Sequence, residues 1–277
     1  MKRKTLTAAA AVALLTTALL LDSRFNIELT EYELCFDSLP AEFDGYRIAL
    51  LSDLHGWSFG EDNSRLVKLI EEAEPDMIAI TGDMISSYEH LEAVEDLLRG
   101  IEGLAPTFYV NGNHEWGARL TGRMKALMES YGVRCLGNEY IEFEHNGSRI
   151  IVCGAEDKNG PADMIKPPAL AQKLREEYPD DFVLWLYHRN DSLLKYPALP
   201  VELVLSGHAH GGIIRLPAFG GLLDVRGKVG AEYEKGVYCS GGLTLLVSRG
   251  LGNSVSIPRF LNRPELPLIT LRATEKK

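Results

Sequence analysis

Tyr46-Arg-Ile-Ala-Leu-Leu51 runs straight into Ser52-Asp53-Leu54-His55, and this junction decides the fold. A short unbroken apolar run that ends in polar residues is the pattern of a strand covered on both faces. The junction recurs down the chain. Met77-Ile-Ala-Ile80 ends at Thr81-Gly82-Asp83, and Thr107-Phe-Tyr-Val110 at Asn111-Gly112-Asn113-His114-Glu115. Phe182-Val-Leu-Trp-Leu-Tyr187 ends at His188, and Val201-Glu-Leu-Val-Leu205 at Ser206-Gly207-His208-Ala209-His210.

Helical periodicity fills the spaces between these runs. Asp62 to Glu74 sets Leu66, Leu69, Ile70 and Ala73 on one face and stops at Pro75. Glu89 to Arg99 and Arg119 to Tyr131 read the same way, the second stopping at Gly132. Strand and helix in alternation predict an α/β sandwich. Beyond Gly132 the pattern is richer in strands. Glu139 to His145 and Arg149 to Gly154 flank Asn146-Gly147, a hairpin signal. A helix is expected near Ala169 to Glu177, and strands at Ile27 to Phe36, Gly236 to Arg249 and Leu266 to Leu271. No linker divides the chain after the N-terminal segment, so residues 23–277 are expected to form one domain.

The N-terminal segment has a different composition. Lys2, Arg3 and Lys4 precede an uncharged, largely apolar stretch from Thr5 to Leu21, and Asp22 ends it. Residues 5–21 are at the short limit for a membrane-spanning helix. No A-x-A cleavage site lies between Leu19 and Phe25, which favours an uncleaved anchor over a removed signal. Residues 1–22 are therefore expected to be a membrane anchor or uncleaved signal. The basic flank is N-terminal, whereas Asp22, Arg24, Glu28 and Glu31 follow the stretch without a positive bias. The positive-inside rule then predicts an extracytoplasmic domain.

The formal net charge of −10 argues against binding a nucleic-acid duplex. It leaves small phosphate esters open, because bound cations reverse the local sign. The cysteines Cys35, Cys135, Cys153 and Cys239 form no CxxC pair, so zinc-ribbon and thioredoxin-like readings fail. Cys153 and Cys239 sit in apolar runs and read as small core residues.

The strand ends carry the chemistry. In an open α/β sheet, ligands bind at the carboxyl ends of the strands. Asp53, His55, Asp83, Asn113, His114, His188, His208 and His210 all fall there; His90 and His145 do not. A lone histidine at a strand end is more often a hydrogen-bonded loop residue. The pairs Asp53-x-His55 and His208-x-His210 are stronger signals, because alternate residues of an extended segment share a face. Carboxylate, imidazole and amide ligands without thiolate suit Mn, Fe, Zn, Ni or Co. The ligands exceed what one tetrahedral ion takes, so two divalent ions sharing a carboxylate is the economical reading. Two ions at roughly 3.5–4 Å can hold a phosphate and activate a water for in-line attack. Arg189 and Arg215 could neutralise substrate phosphate, though such arginines are more often surface pairs. Glycines beside the ligands would let backbone pass close to the ions, or would simply serve turns.

In order, D-x-H, G-D, G-N-H-E, a lone H and G-H-x-H resemble the calcineurin-like metallophosphoesterase superfamily, from Asp53 to His210. Gly207-His-Ala-His-Gly-Gly212, Ile214-Arg-Leu-Pro217 and Val247-Ser-Arg-Gly-Leu-Gly252 resemble its membrane-associated phosphodiesterases of the YkuE and YaeI type. The resemblance implies a four-layer α/β/β/α sandwich. It implies Asp53, His55 and His210 on one metal, Asn113, His188 and His208 on the other, and Asp83 bridging. His114 would then be the catalytic proton donor or a clamp on the phosphate. The implied reaction is hydrolysis of a phosphodiester or pyrophosphate, on an envelope or lipid-linked substrate. A relative that cleaves UDP-2,3-diacylglucosamine in lipid A synthesis supplies an alternative substrate. Gly82-Asp83-Met84-Ile85 departs from the Ser/Thr phosphatase pattern G-D-x-V-D-R-G, and His188-Arg189-Asn190-Asp191 lacks the proline of H-x-P-D. A metal-binding scaffold with a relict site would have lost ligands, and none is missing.

Overall fold

The computed structural model describes residues 2–223, 227, 229–230 and 232–274. The chain opens with helix α1 (Lys2–Phe25) and strand β1 (Glu28–Phe36). An alternating stretch follows: β2 (Arg47–Leu51), α2 (Ser64–Glu72), β3 (Met77–Ile80), α3 (Leu91–Ile101) and β4 (Thr107–Tyr109). Then come the short α4 (Asn113–Gly117), α5 (Thr121–Ser130), β5 (Arg134–Cys135) and the hairpin β6 (Glu139–His145) and β7 (Ser148–Ala155). The second half has α6 (Pro167–Glu177), β8 (Val183–Tyr187), α7 (Ser192–Lys195) and β9 (Leu203–Ser206). It ends with β10 (Arg215–Leu216), β11 (Gly220–Gly221), β12 (Gly236–Ser240), β13 (Leu243–Val247) and β14 (Glu265–Ala273).

The strands build two six-stranded sheets, in the orders β1-β14-β2-β3-β4-β5 and β12-β13-β9-β8-β7-β6. β2 to β5 run parallel, as do β7, β8, β9 and β13. Successive side chains on a strand face opposite ways, and the cores divide accordingly. Ile48, Leu50, Met77 and Ala79 share a core with Val152, Leu184, Leu186, Leu203 and Leu205 of the other sheet. Their sequence neighbours Ala49, Leu51, Ile78 and Ile80 pack instead with Leu66, Ile70, Val94, Leu97 and Met124 from α2, α3 and α5. On the second sheet, Ile151, Cys153, Val183 and Trp185 pack with Leu170 and Leu174 of α6. Both faces of these strands are therefore buried, which is why they read as unbroken apolar runs.

Several boundaries move for local reasons. Asp62 and Asn63 have positive φ, so α2 starts at Ser64 rather than Asp62. Arg119 is likewise left-handed, and α5 starts at Thr121. The hairpin turn holds Asn146 and Gly147 at φ 51° and 87°, as a primed turn requires. Cys153 is buried, but Cys239 is exposed on β12, an edge strand, and is not a core residue.

Helix α1 does not stop where its apolar stretch does. It runs through Asp22 to Phe25 and so crosses the expected boundary at residue 22. Thr7–Phe25 is long and apolar enough to cross a membrane and is almost wholly exposed. The side chains of Lys2, Arg3 and Lys4 lie outside the described residues. Its base is fastened to the domain. Asp22 pairs with Arg263 at 2.7 Å, and buried Ser23 accepts the Asn262 N–H at 3.3 Å.

Candidate metal centre

The loops after β2, β3, β4, β8 and β9 meet at one place, and backbone bonds tie them together. The Asp53 and His55 N–H groups donate to the Gly82 and Asp83 carbonyls at 3.0 Å each. The Gly207 N–H donates to the His188 carbonyl at 3.0 Å. Across the two sheets, the His208 N–H donates to the Asp53 carboxylate at 3.0 Å, and His188 Nδ1 donates to the Thr81 carbonyl at 2.8 Å. Two glycines allow this approach. A Cβ on Gly82 would strike the Gly112 backbone, and one on Gly207 would strike the Ser52 hydroxyl and the Asp53 carboxylate.

Two donor clusters result. Asp53, His55 and His210 form one; Asp83, His188 and His208 form the other. His55 Nε2 and His210 Nε2 are 3.2 Å apart, and His210 Nε2 is 3.3 Å from Asp53 Oδ1. His188 Nε2 is 3.1 Å from His208 Nδ1 and 3.1 Å from Asp83 Oδ2. Asp83 Oδ2 also lies 3.9 Å from His55 Nε2, so this carboxylate stands between the clusters. Asn113 Oδ1 is buried and has no hydrogen-bond partner among the described residues.

The local geometry differs from the sequence expectation at the two i, i+2 pairs. Asp53, His55, His208 and His210 all have positive φ, between 49° and 69°, so neither i, i+2 pair is extended. As a result His208 and His210 do not point together; each serves a different cluster. Asn113 and His114 open α4. The His114 ring packs edge-on to His55 at 4.7 Å, with Nε2 3.9 Å from Asp83 Oδ2. This brings His114 into a cluster with His55 and Asp83 that could itself ligate a cation.

The arginines separate. Arg189 grips Asp157 through Nε at 2.6 Å and Nη2 at 3.1 Å, and its Nη1 is 3.2 Å from His208 Nε2. Arg215 donates to the Gly211 carbonyl at 2.6 Å and pairs with Glu234 at 3.0 Å, outside both clusters.

Supporting residues went unread in the sequence. Glu115 is fully buried and accepts backbone N–H bonds from Asp83, Met84 and Gly112 at 2.7–2.9 Å and from Ile85 at 3.2 Å. It lies in the quoted G-N-H-E run, and an acid just after an apolar run was the available signal. His90 accepts the Ser86 N–H at 3.0 Å, and the Ser86 hydroxyl meets His55 Nδ1 at 2.8 Å. Buried Arg259 bonds the carbonyls of Arg249, Gly250 and Gly252 behind His210. Asp157 and Arg259 gave no sequence signal. His145 packs on Phe43 and Tyr46, away from the site.

The electrostatics suit cations. Burial pushes the Asp53 carboxyl up to about 6, against the pull of His188. Burial would raise Asp83 too, but His188, His55 and His114 hold it far below the usual carboxylate range. Burial lowers His55 to about 3 and drives His210 well below its ordinary value, so both are neutral donors. Burial opposes charge on His188 as well, yet Asp83 raises it to about 10. Burial and Asp83 raise Glu115 to about 7, with the N–H groups of Asp83 and Gly112 pulling the other way. Asp83 thus favours positive charge at His188, the kind of charge that a divalent cation would supply.

Strand-end acids and imidazoles gathered between two mixed sheets define a hydrolase of the metallophosphoesterase class. The chain belongs to the calcineurin-like phosphoesterase family, whose model matches residues 46–212. It is 34% identical over 254 residues to the metallophosphoesterase YkuE of Bacillus subtilis (strain 168), covering 90% of this chain and 86% of that one. It is 28% identical over 233 residues to phosphodiesterase YaeI of Escherichia coli (strain K12), covering 82% of each. Among solved structures, the Haemophilus influenzae NAD nucleotidase NadN superposes with a TM-score of 0.53 at 16% identity. That match spans 74% of this chain and 45% of the nucleotidase, and it speaks to the fold alone.

Proposed function

We propose that the chain hydrolyses a phosphodiester or pyrophosphate at a centre of two divalent cations. Asp53, His55 and His210 would hold one cation, and Asn113, His188 and His208 the other, with Asp83 shared. The observation that carries this reading is the pair of donor clusters, Asp53-His55-His210 and Asp83-His188-His208, together with an orphaned Asn113 Oδ1 next in sequence to His114, whose N–H bonds Asp83. A buried amide oxygen without a donor is costly, and a cation satisfies it. When bound, the two ions would act as Lewis acids on the phosphate oxygens and acidify an attacking water.

The chain's own groups do the rest. Glu115 fixes the backbone around Asp83 through its N–H bonds. Ser52 donates to Asp53 Oδ2 at 2.7 Å and holds that carboxylate in place. His114, whose side chain is 31% exposed, can reach a leaving oxygen and protonate it. Arg189 is placed to meet a phosphate beside His208. A histidine ligating through Nδ1 carries its proton on Nε2, which an arginine N–H cannot share. Arg189 Nη1 is then released toward substrate. The substrate is read as a small or lipid-linked envelope phosphoester, because an apolar helix long enough to span a membrane precedes the catalytic domain.

The test is turnover of bis-p-nitrophenyl phosphate by purified protein loaded with Mn²⁺, with metal content measured alongside. Hydrolysis with two ions per chain is expected. Tight metal binding without turnover would reduce the protein to a metal-binding module.

A further inference from the structure

A cavity of about 400 Å³ lies between the last turns of α1 and the loop after Gly252. This is the size of a small ligand pocket. Leu20 and Leu21 of α1, Trp57, Val255 and Pro258 give it apolar walls. Trp57 follows His55 by two residues, so one wall is continuous with a ligand loop. Arg24 and Arg259 also border the space. Arg24 is exposed and stacks over Trp57 at 5.2 Å, at the outer side.

Arg259 joins this cavity to the metal centre. It is 3% exposed, and its Nη2 is 3.5 Å from His210 Nδ1. Its Nε donates to the Gly252 carbonyl at 2.8 Å, and its Nη2 to the Arg249 carbonyl at 2.7 Å. Its Nη1 is buried and has no hydrogen-bond partner among the described residues. An apolar space bordered by a buried arginine that has an unpartnered nitrogen fits a hydrocarbon chain attached to an oxygen acceptor. The segments that line the cavity also expose Phe25, Ile257 and Leu261, apolar groups suited to a bilayer surface.

We propose that this cavity takes the hydrocarbon chain of a lipid phosphoester, with an ester or phosphate oxygen on Arg259 and the scissile phosphate at Asp83. The inference rests on the phosphoesterase reading above and names its substrate class. The chain enters from the bilayer along α1, whose exposed apolar surface forms one side of the cavity.

The experiment uses the full chain, loaded with Mn²⁺, in phosphatidylcholine nanodiscs. The probes are p-nitrophenyl alkyl phosphates from methyl to tetradecyl, with bis-p-nitrophenyl phosphate as the chainless control. Wild-type kcat/KM should rise with chain length. Val255→Trp, which fills the cavity, should lose about tenfold on the tetradecyl ester and keep the control rate. Leu20→Trp fills it from α1, so a folding defect in the loop variant leaves the test intact. A bromoalkyl phosphate should quench Trp57 fluorescence, and Trp57→Phe should lose that component. Chain preference that survives both filled variants comes from membrane partitioning and overturns the subsite. Quenching without chain-dependent turnover means that a bilayer lipid merely occupies the gap, and overturns it too. Failure of the wild type on the chainless control strikes the phosphoesterase reading instead.

Discussion

Asp83 faces His188, His55 and His114 through Oδ2 and accepts the His114 N–H at 2.8 Å through Oδ1. Asp83→Asn removes a negative charge from between both clusters. It should abolish turnover and lower metal content at both positions; two retained ions with a normal rate would exclude a bridging role. His114→Ala separates two roles that the geometry leaves adjacent. As proton donor, His114 can be lost with the metals retained, at a cost of about 10²–10⁴ in rate on poor leaving groups and less on p-nitrophenolate. A metal-free variant would make His114 a ligand, as its grouping with His55 and Asp83 permits. Glu115→Ala strands the buried N–H groups of Asp83, Met84, Ile85 and Gly112. It should cost about 3 kcal/mol in urea unfolding, with Glu115→Gln recovering part through its carbonyl. A change below about 0.5 kcal/mol for the alanine variant would remove Glu115 from the scaffold of the site. The residue types at the strand ends were readable before any coordinates. Their directions were not, because an i, i+2 argument assumes extended backbone and the φ values of His208 and His210 are 69° and 49°.

At the level of elements, the strands supply positions and the loops supply coordination. The apolar runs were legible because both faces of β2, β3, β8 and β9 are buried, which confines polar residues such as Arg47 and Ser206 to the strand ends. Helix α4 was not legible. Five residues are too few to show a period, and Gly112 as N-cap looks like an ordinary turn glycine. Helix starts slipped where Asp62, Asn63 and Arg119 adopt left-handed backbone, which composition does not announce. This division predicts where metal removal is felt. Chelation should raise amide exchange in the loops at 52–56, 82–86 and 207–212, while amides within β2, β3, β8 and β9 stay protected. Restoring Mn²⁺ should reverse it and raise the melting temperature, since a ligand bound only by the native state stabilises it. Uniform exchange across loops and strands would mean that the site is rigid without cations.

For the whole molecule, the N-terminal apolar helix bears on which side of a membrane the catalytic domain would face. The apolar helix is readable from sequence, but its attachment is not. Contacts between Asp22 and Arg263 and between Ser23 and Asn262 join positions about 240 residues apart, and nothing in either local sequence foretells them. They hold the base of α1 against the loop that carries Arg259, whose Nη2 lies 3.5 Å from His210 Nδ1. Basic residues cluster on the N-terminal flank of the apolar stretch, at Lys2, Arg3 and Lys4, and the far flank, with Asp22, Arg24, Glu28 and Glu31, is mixed in sign. Retaining such a cluster on the cytoplasmic side directs the rest of the chain outward. The uncharged stretch from Thr5 to Leu21 gives roughly 25 Å at 1.5 Å per residue, just enough to cross a thin hydrocarbon core. C-terminal fusions should therefore show active alkaline phosphatase and a dark fluorescent protein. An outward domain meets envelope phosphoesters and is cut off from nucleotide-linked lipids made in the cytoplasm. The opposite pattern, a bright fluorescent fusion with inactive phosphatase, would place the metal centre inside and move a UDP-2,3-diacylglucosamine-type pyrophosphate to the front of the substrate candidates.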